Sequence, residues 1–290
     1  MKATTSYTVS PKIIAHRGGK NNFPENTIFA FENVINVGSD GIEIDVQLSK
    51  DGVVVLYHPN DLASRTNGKG LVNAWNYQDL EALDAAYNFD PKSNKSFPER
   101  GKGYKIPTLA EVLNKFPNLE IIVDLKSLPA KPLVDAIVKL VNEKNAWQRL
   151  IFYSTNIEHL NYFKEQKPEA KLFESRHKTR ELLLTMRNKG TCCYKLNSSH
   201  YIGFELDIEM IVKESFALGD DINKVHFRLW DNKAVECIEE ASNDQAKIFI
   251  FGINSKQEYQ EAKKLGVYAV FSDTPAELIQ QLKAPIKAIN

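Results

Sequence analysis

His16 and His58 each close a short apolar run, Ile13-Ile14-Ala15 and Val53–Tyr57, so each is delivered to the end of a buried strand. Two histidines held together near neutral pH can serve as a general base and a general acid. Cleaving a phosphodiester needs both, one to activate a nucleophile and one to protonate the departing alkoxide. A lone histidine in such a place more often caps a strand by hydrogen bonds, so the neighbours decide the reading. Glu43 and Asp45 stand two apart on Gly41–Leu48, and both point to one side while Ile42, Ile44 and Val46 point to the other. Paired buried carboxylates repel and lose hydration, costs that a divalent cation relieves. Asp124, near the end of Glu120–Leu125, offers a third oxygen ligand, and an all-oxygen set favours Mg2+, Ca2+ or Mn2+ over zinc. Arg17 and Lys126 suit phosphate oxygens, the first as a planar fork and the second as a point charge. Alone, the Glu-x-Asp pair would be a solvated acidic edge, or acids neutralised by Arg17 and Lys126. Strand ends that offer histidine, arginine, carboxylate and lysine together point instead to a metal-dependent phosphoryl site. His159, His177, His200 and His226 lack such company and are expected to be structural or surface residues.

The elements that must position these groups read as alternating strands and helices. Runs rich in Ile, Val and Phe occur at Lys12–Ala15, Gly41–Leu48, Val53–Tyr57, Glu120–Leu125, Leu150–Tyr153, Lys171–Phe173, Val225–Leu229, Lys247–Gly252 and Tyr268–Phe271. Helical periodicity marks Asn26–Val37, Pro132–Asn142, Ser255–Leu265 and Pro275–Leu282. Strand followed by helix, repeated with short connections, predicts parallel strands and crossover helices. With Val53–Tyr57 taken as an extension of the second strand, there are about eight units, the number a TIM (β/α)8 barrel needs. Periodicity does not separate a closed barrel from an open doubly wound sheet. Cys192–Leu196 competes with Lys171–Phe173 for the fifth strand. The stretch 60–103 is rich in turn formers, with one short helical pattern at Trp75–Leu83, and reads as a rim insertion within a single domain spanning 1–290.

Composition narrows the function. The 290 residues are 43% hydrophobic, enough for a buried core. Lys and Arg number 37, as do Asp and Glu, and this balance makes nucleic acid an unexpected partner. No apolar run is long enough for a membrane span, and Met1–Ser10 shows no signal peptide. Three cysteines do not describe a disulfide framework, so buried thiols in a reducing, cytoplasmic setting are expected. Oligomeric state is not legible.

His16-Arg17-Gly18, Pro24-Glu25-Asn26-Thr27, Glu43-Ile44-Asp45-Val46-Gln47-Leu48, Lys50-Asp51-Gly52 and His58 resemble, in order and spacing, the glycerophosphodiester phosphodiesterase family. Arg65-Thr66-Asn67-Gly68-Lys69-Gly70, Ile106-Pro107-Thr108-Leu109, Gly252-Ile253-Asn254 and Ser272-Asp273 extend the resemblance, which is thin between Glu158 and Asn223. It implies a TIM barrel, a divalent cation, and hydrolysis of a glycerophosphodiester to sn-glycerol 3-phosphate and an alcohol. Carried over, His16 and His58 form the acid/base pair, and Glu43, Asp45 and Asp124 hold the metal. Arg17 and Lys126 grip phosphate, while Glu25 and Asn26 order the first loop. The family pattern also implies attack by the substrate's own 2-hydroxyl. This chain departs from the pattern in Asp124, where glutamate is usual, in His58-Pro59 for His-Asp, and in Phe251-Gly252-Ile253-Asn254 for Trp-Thr-Val-Asn. The last change alters an apolar wall, which Trp230 either replaces or, as a packed core indole, does not.

Two alternatives stay open. A related phosphodiesterase acting on a lipid headgroup would need exposed apolar tips, for which Phe89, Phe97 and Tyr104 are candidates. A non-catalytic barrel that binds a phosphate ligand would be expected to lose part of the His16, His58, Glu43 and Asp45 set, because buried charge without a task is costly.

Overall fold

Strands rich in Ile and Val become parallel when both of their faces are covered. The computed structural model, which describes residues 10–190, 192, 201–216 and 219–284, shows this arrangement. In chain order the first half runs β1 (Lys12–Ala15), α1 (Ile28–Val37), β2 (Gly41–Leu48), β3 (Val54–Leu56), α2 (Tyr77–Glu81), α3 (Leu109–Lys115), β4 (Glu120–Leu125), α4 (Ala130–Lys144) and β5 (Leu150–Tyr153). The second half runs α5 (Ile157–Gln166), α6 (Arg176–Lys189), β6 (Tyr201–Glu205), β7 (Asp207–Phe216), β8 (Gly219–Arg228), α7 (Asn232–Ala241), β9 (Lys247–Phe251), α8 (Lys256–Lys264), β10 (Ala269–Ser272) and α9 (Pro275–Lys283).

The main sheet has the order β5-β4-β2-β1-β10-β9-β6, with every pairing along this path parallel. It is curled and TIM-barrel-like. Its outermost strands approach each other through two parallel bridges, Phe152 to Leu172 and Phe173 to Tyr201. Alternation along the strands sorts the core. Ile14, Ile122, Ile151, Phe173, Phe249, Ala269 and Phe271 fill the concave interior. Ile42, Ile44, Val123 and Phe152 pack outward with residues of α1, α3 and α4, and Ile202, Phe204, Ile248 and Val270 pack outward with residues of α6, α7 and α9. Helix starts are fixed locally. Thr108 and Glu111 form a reciprocal cap on α3, and Ser255 and Glu258 form another on α8.

Several expectations change. Val54–Leu56 does not extend the second strand; it turns back and pairs antiparallel with β2, off the main path. Lys171–Phe173 contributes the two bridging residues, whereas residues 193–196 of its rival lie outside those described. Val225–Leu229 lies in and just after β8, which forms a two-stranded antiparallel ribbon with β7 rather than a strand of the main sheet. The main-sheet strand in that region is Tyr201–Glu205. Segment 60–103 carries α2 among short turns, and Leu62, Val72, Leu80, Leu83 and Ala85 gather with Val55, Tyr57 and Ile106 in a small core of their own. Among the described residues, no helix is long and apolar enough to cross a membrane.

The thiol expectation is also corrected, because Cys192 and Cys237 form a disulfide that ties the chain after α6 to α7. Its partners stand 45 residues apart, and closing a loop of that size restrains the unfolded chain by about 4 kcal/mol in the chain-entropy account. Reduction should therefore lower the urea midpoint of unfolding; equal midpoints with and without reductant would show that the bridge adds nothing.

Candidate active site

β1 ends in a backbone reversal. Arg17, Gly18 and Gly19 all have positive φ, and His16 O accepts from Gly19 N and Lys20 N. Gly18 is required here, since a Cβ would fall within 2.9 Å of Ala30 and 2.8 Å of Phe31. Arg17 is not glycine, and its φ of 53° costs about 1–3 kcal/mol, a strain usually retained where it positions function. What holds it is Glu43, whose Oε2 accepts from Arg17 N at 2.9 Å.

Glu43, Asp45 and Asp124 converge in the buried interior, with one carboxylate oxygen from each inside a 4.8 Å cluster. β2 supplies the first two, and register places Asp124 of β4 directly beside Asp45. Arg17 Nε lies 3.2 Å from Asp45 Oδ2. Lys126 Nζ lies 2.5 Å from Asp124 Oδ2 and 3.2 Å from Asp45 Oδ1, the latter without hydrogen-bond alignment. Three acids thus face two cations. Burial, reinforced by Asp45 and Asp124, pushes Glu43 well above the ordinary carboxyl range. Burial likewise raises Asp124 to about 7, against the pull of Lys126. Burial would raise Asp45 too, yet Lys126 and Arg17 hold it low. Oδ1 of Asp45 and Oδ1 of Asp124 are buried with no hydrogen-bond donor. Oxygen-only donors, orphaned acceptors and excess negative charge fit a divalent cation.

Both histidines flank this cluster. His16 Nε2 is 3.8 Å from Glu43 Oε2, and Nδ1 is 2.6 Å from Asp273 Oδ1. Burial lowers the His16 pKa, opposed by the Asp273 hydrogen bond. His58 follows the antiparallel β3 by two residues, not a parallel strand of the main sheet. Gln47 Nε2 anchors its loop by donating to Tyr57 O at 2.9 Å and Pro59 O at 2.8 Å. Burial lowers His58 to about 4, partly offset by Asp45. Both shifts favour the neutral imidazole.

Glu25 and Asn26 connect the first loop to the charged centre. Glu25 Oε2 is 3.6 Å from Arg17 and 3.2 Å from Arg65. Asn26 makes a reciprocal pair with Asp45, donating to Oδ2 at 2.8 Å and accepting from Asp45 N at 3.0 Å. His159 is buried between Ser154 and Ser127 O, whereas His177 and His226 are exposed; His200 lies outside the described residues. Trp230 is a core indole that donates to Glu205 O, so the apolar wall falls to Phe251, stacked on Phe271 at 4.5 Å. Phe89, Phe97 and Tyr104 are not exposed tips; Tyr104 stacks on Phe29 and Phe97 lies against Arg100. Sequence reasoning missed Asp273 and Gln47. Asp273 follows β10, and applying the strand-end rule to every strand would have found it.

The model of the glycerophosphoryl diester phosphodiesterase family matches residues 16–277. An uncharacterised protein of Mycobacterium tuberculosis is 36% identical over 269 residues, covering 92% of this chain and 88% of that protein. The crystal structure of its glycerophosphoryl diester phosphodiesterase domain superposes with a TM-score of 0.85, covering 94% of this chain and 99% of the domain. A glycerophosphodiester phosphodiesterase of Caldanaerobacter subterraneus is 28% identical over 275 residues, 93% of this chain and 97% of the relative. A phosphodiesterase of Oleispira antarctica, solved with sn-glycerol-3-phosphate, shares the fold at 23% identity and TM-score 0.68, covering 96% of this chain and 99% of that one. The chain, an enzyme with the charged centre described above, belongs to the glycerophosphoryl diester phosphodiesterase family.

Proposed function

We propose that the protein hydrolyses glycerophosphodiesters to sn-glycerol 3-phosphate and an alcohol, using a divalent cation and two histidines. The observation that carries this reading is the buried cluster of Glu43, Asp45 and Asp124, flanked by His16, His58, Arg17 and Lys126. The ring is read as a (β/α)8 barrel with Leu172–Phe173 as its fifth stave, in a single domain, and 60–103 as the rim insertion beside His58.

The three carboxylates would hold Mg2+, Ca2+ or Mn2+, which supplies Lewis acidity toward a phosphoryl oxygen. Arg17 and Lys126 bind the remaining phosphate charge. One of His16 and His58, neutral, would take the nucleophile's proton, and the other, protonated as the diester's negative charge favours, would give a proton to the leaving alkoxide. Asp273 behind His16 Nδ1 fixes its tautomer, leaving Nε2 toward the reacting atoms, and stabilises the imidazolium once Nε2 takes a proton. Glu25 and Asn26 order the loop that presents Arg17. The partner is the small diester rather than nucleic acid. For location, the sparse cysteines point to the cytoplasm, while the disulfide points to an oxidising compartment, where such bonds persist; thiol trapping in cells decides between them.

Purified protein stripped by chelator should release no glycerol 3-phosphate from glycerophosphocholine, and one of the three ions should restore release. Turnover that survives chelation would rule out the metal role, and no turnover of any glycerophosphodiester would rule out the substrate class.

A further inference from the structure

The half of the barrel mouth away from the acids has a different chemistry. An aromatic arc starts at His16, whose ring lies 6.3 Å from Phe271. It continues to Phe251, 4.5 Å from Phe271, and to Tyr153, 5.8 Å from Phe251. Tyr153 is the cross-strand neighbour of Asp124, so the arc leads from one edge of the charged centre to the other. It ends on an ion pair. Arg176 interacts electrostatically with Tyr153 and lies 2.8 Å from Glu205 Oε1. Arg176 and Glu205 side chains are 30% and 36% exposed, so substrate can reach them. Glu205 Oε2 is enclosed and has no donor. Gly203 makes room for the arc, because a Cβ there would lie 2.4 Å from Phe251.

Following the ring from β1 through β2, β4, β5, Leu172–Phe173, β6, β9 and β10, β6 stands opposite β2. Glu205 therefore faces Glu43 and Asp45 across the mouth. In an in-line displacement the leaving oxygen departs opposite the attacking one. With attack at the acidic centre, the alcohol points toward Arg176 and Glu205. An ammonium gains little there, because the charge of Glu205 is already matched by Arg176 at 2.8 Å. An acyl chain would strip water from an ion pair without replacing its hydrogen bonds. Adjacent hydroxyls can both donate to the carboxylate and accept from the planar guanidinium, while the C–H face of a ring packs on Phe251.

Resting on the hydrolase reading, we propose that Arg176, Glu205 and Phe251 form the subsite for the alcohol, and that this alcohol is a neutral polyol of the cyclitol or sugar class. The test measures kcat/KM of the metal-restored full chain on glycerophosphoinositol and glycerophosphocholine. Wild type should favour the inositol diester by about 10-fold or more, the worth of hydrogen bonds to a charged group. Arg176→Lys, which keeps the charge balance of the pair and removes only the planar fork, should lower the inositol value by about 10-fold and the choline value far less. Equal or better choline turnover by wild type overturns the proposal. So does an equal fall on both substrates, which would assign the pair to the shared glycerol. Wild-type inactivity on every glycerophosphodiester is the separate failure of the hydrolase reading itself.

Discussion

His16→Ala is expected to lower kcat on a glycerophosphodiester by about 10²–10⁴-fold, the usual worth of one positioned acid/base group. KM should change little, because Arg17 and Lys126, not the imidazole, carry phosphate affinity in the proposed site. The fold should survive. The His16 ring is 24% exposed, and among the described residues its one side-chain hydrogen bond is to Asp273, which keeps Lys20 at 3.1 Å. Turnover within about 3-fold of wild type, with an unchanged melting curve, would remove His16 from the chemistry.

The second large effect is on stability. Asp45 is fully buried and accepts from Asn26 Nδ2 while compensating both Arg17 and Lys126. Asp45→Ala removes the carboxylate that Arg17 and Lys126 share and leaves the Asn26 amide without its acceptor, and breaking a buried pair in this way costs about 3–5 kcal/mol. Urea unfolding in the presence of chelator measures that cost without any ion contribution. A loss under about 1 kcal/mol would mean that water or a rearranged Glu43 compensates the cations.

Much of this architecture is visible in the chain before folding. β1, β4, β5, β9 and β10 are short segments rich in Ile, Val and Phe, which announce strands covered on both faces. The acidic pair on β2 follows from period two alone. β6 was missed because only Ile202 and Phe204 face its helices, while Gly203 sits mid-strand and reads as a breaker. Its purpose appears only in three dimensions, where the Phe251 and Phe173 rings occupy the space a Cβ would need. Val225–Leu229 was mistaken for a barrel strand for the converse reason. Its alternation is genuine, but register pairs it with Met210 and its neighbours on β7, a long-range choice that periodicity does not encode. His58 follows a strand that turns back along β2, a pairing that periodicity did not show. The disulfide was invisible because 45 residues separate its partners, and spacing alone does not bring them together.

The position of Lys126 carries one more consequence. Its ammonium leans on Asp124 and Asp45, the oxygens that a divalent ion would claim, and it is also the proposed grip on phosphate. Ion and lysine therefore compete for the same acids, and phosphate offers the displaced lysine a new partner. Thermodynamic linkage makes such an arrangement reciprocal. In the proposed site each ligand would therefore raise the affinity for the other by the same factor.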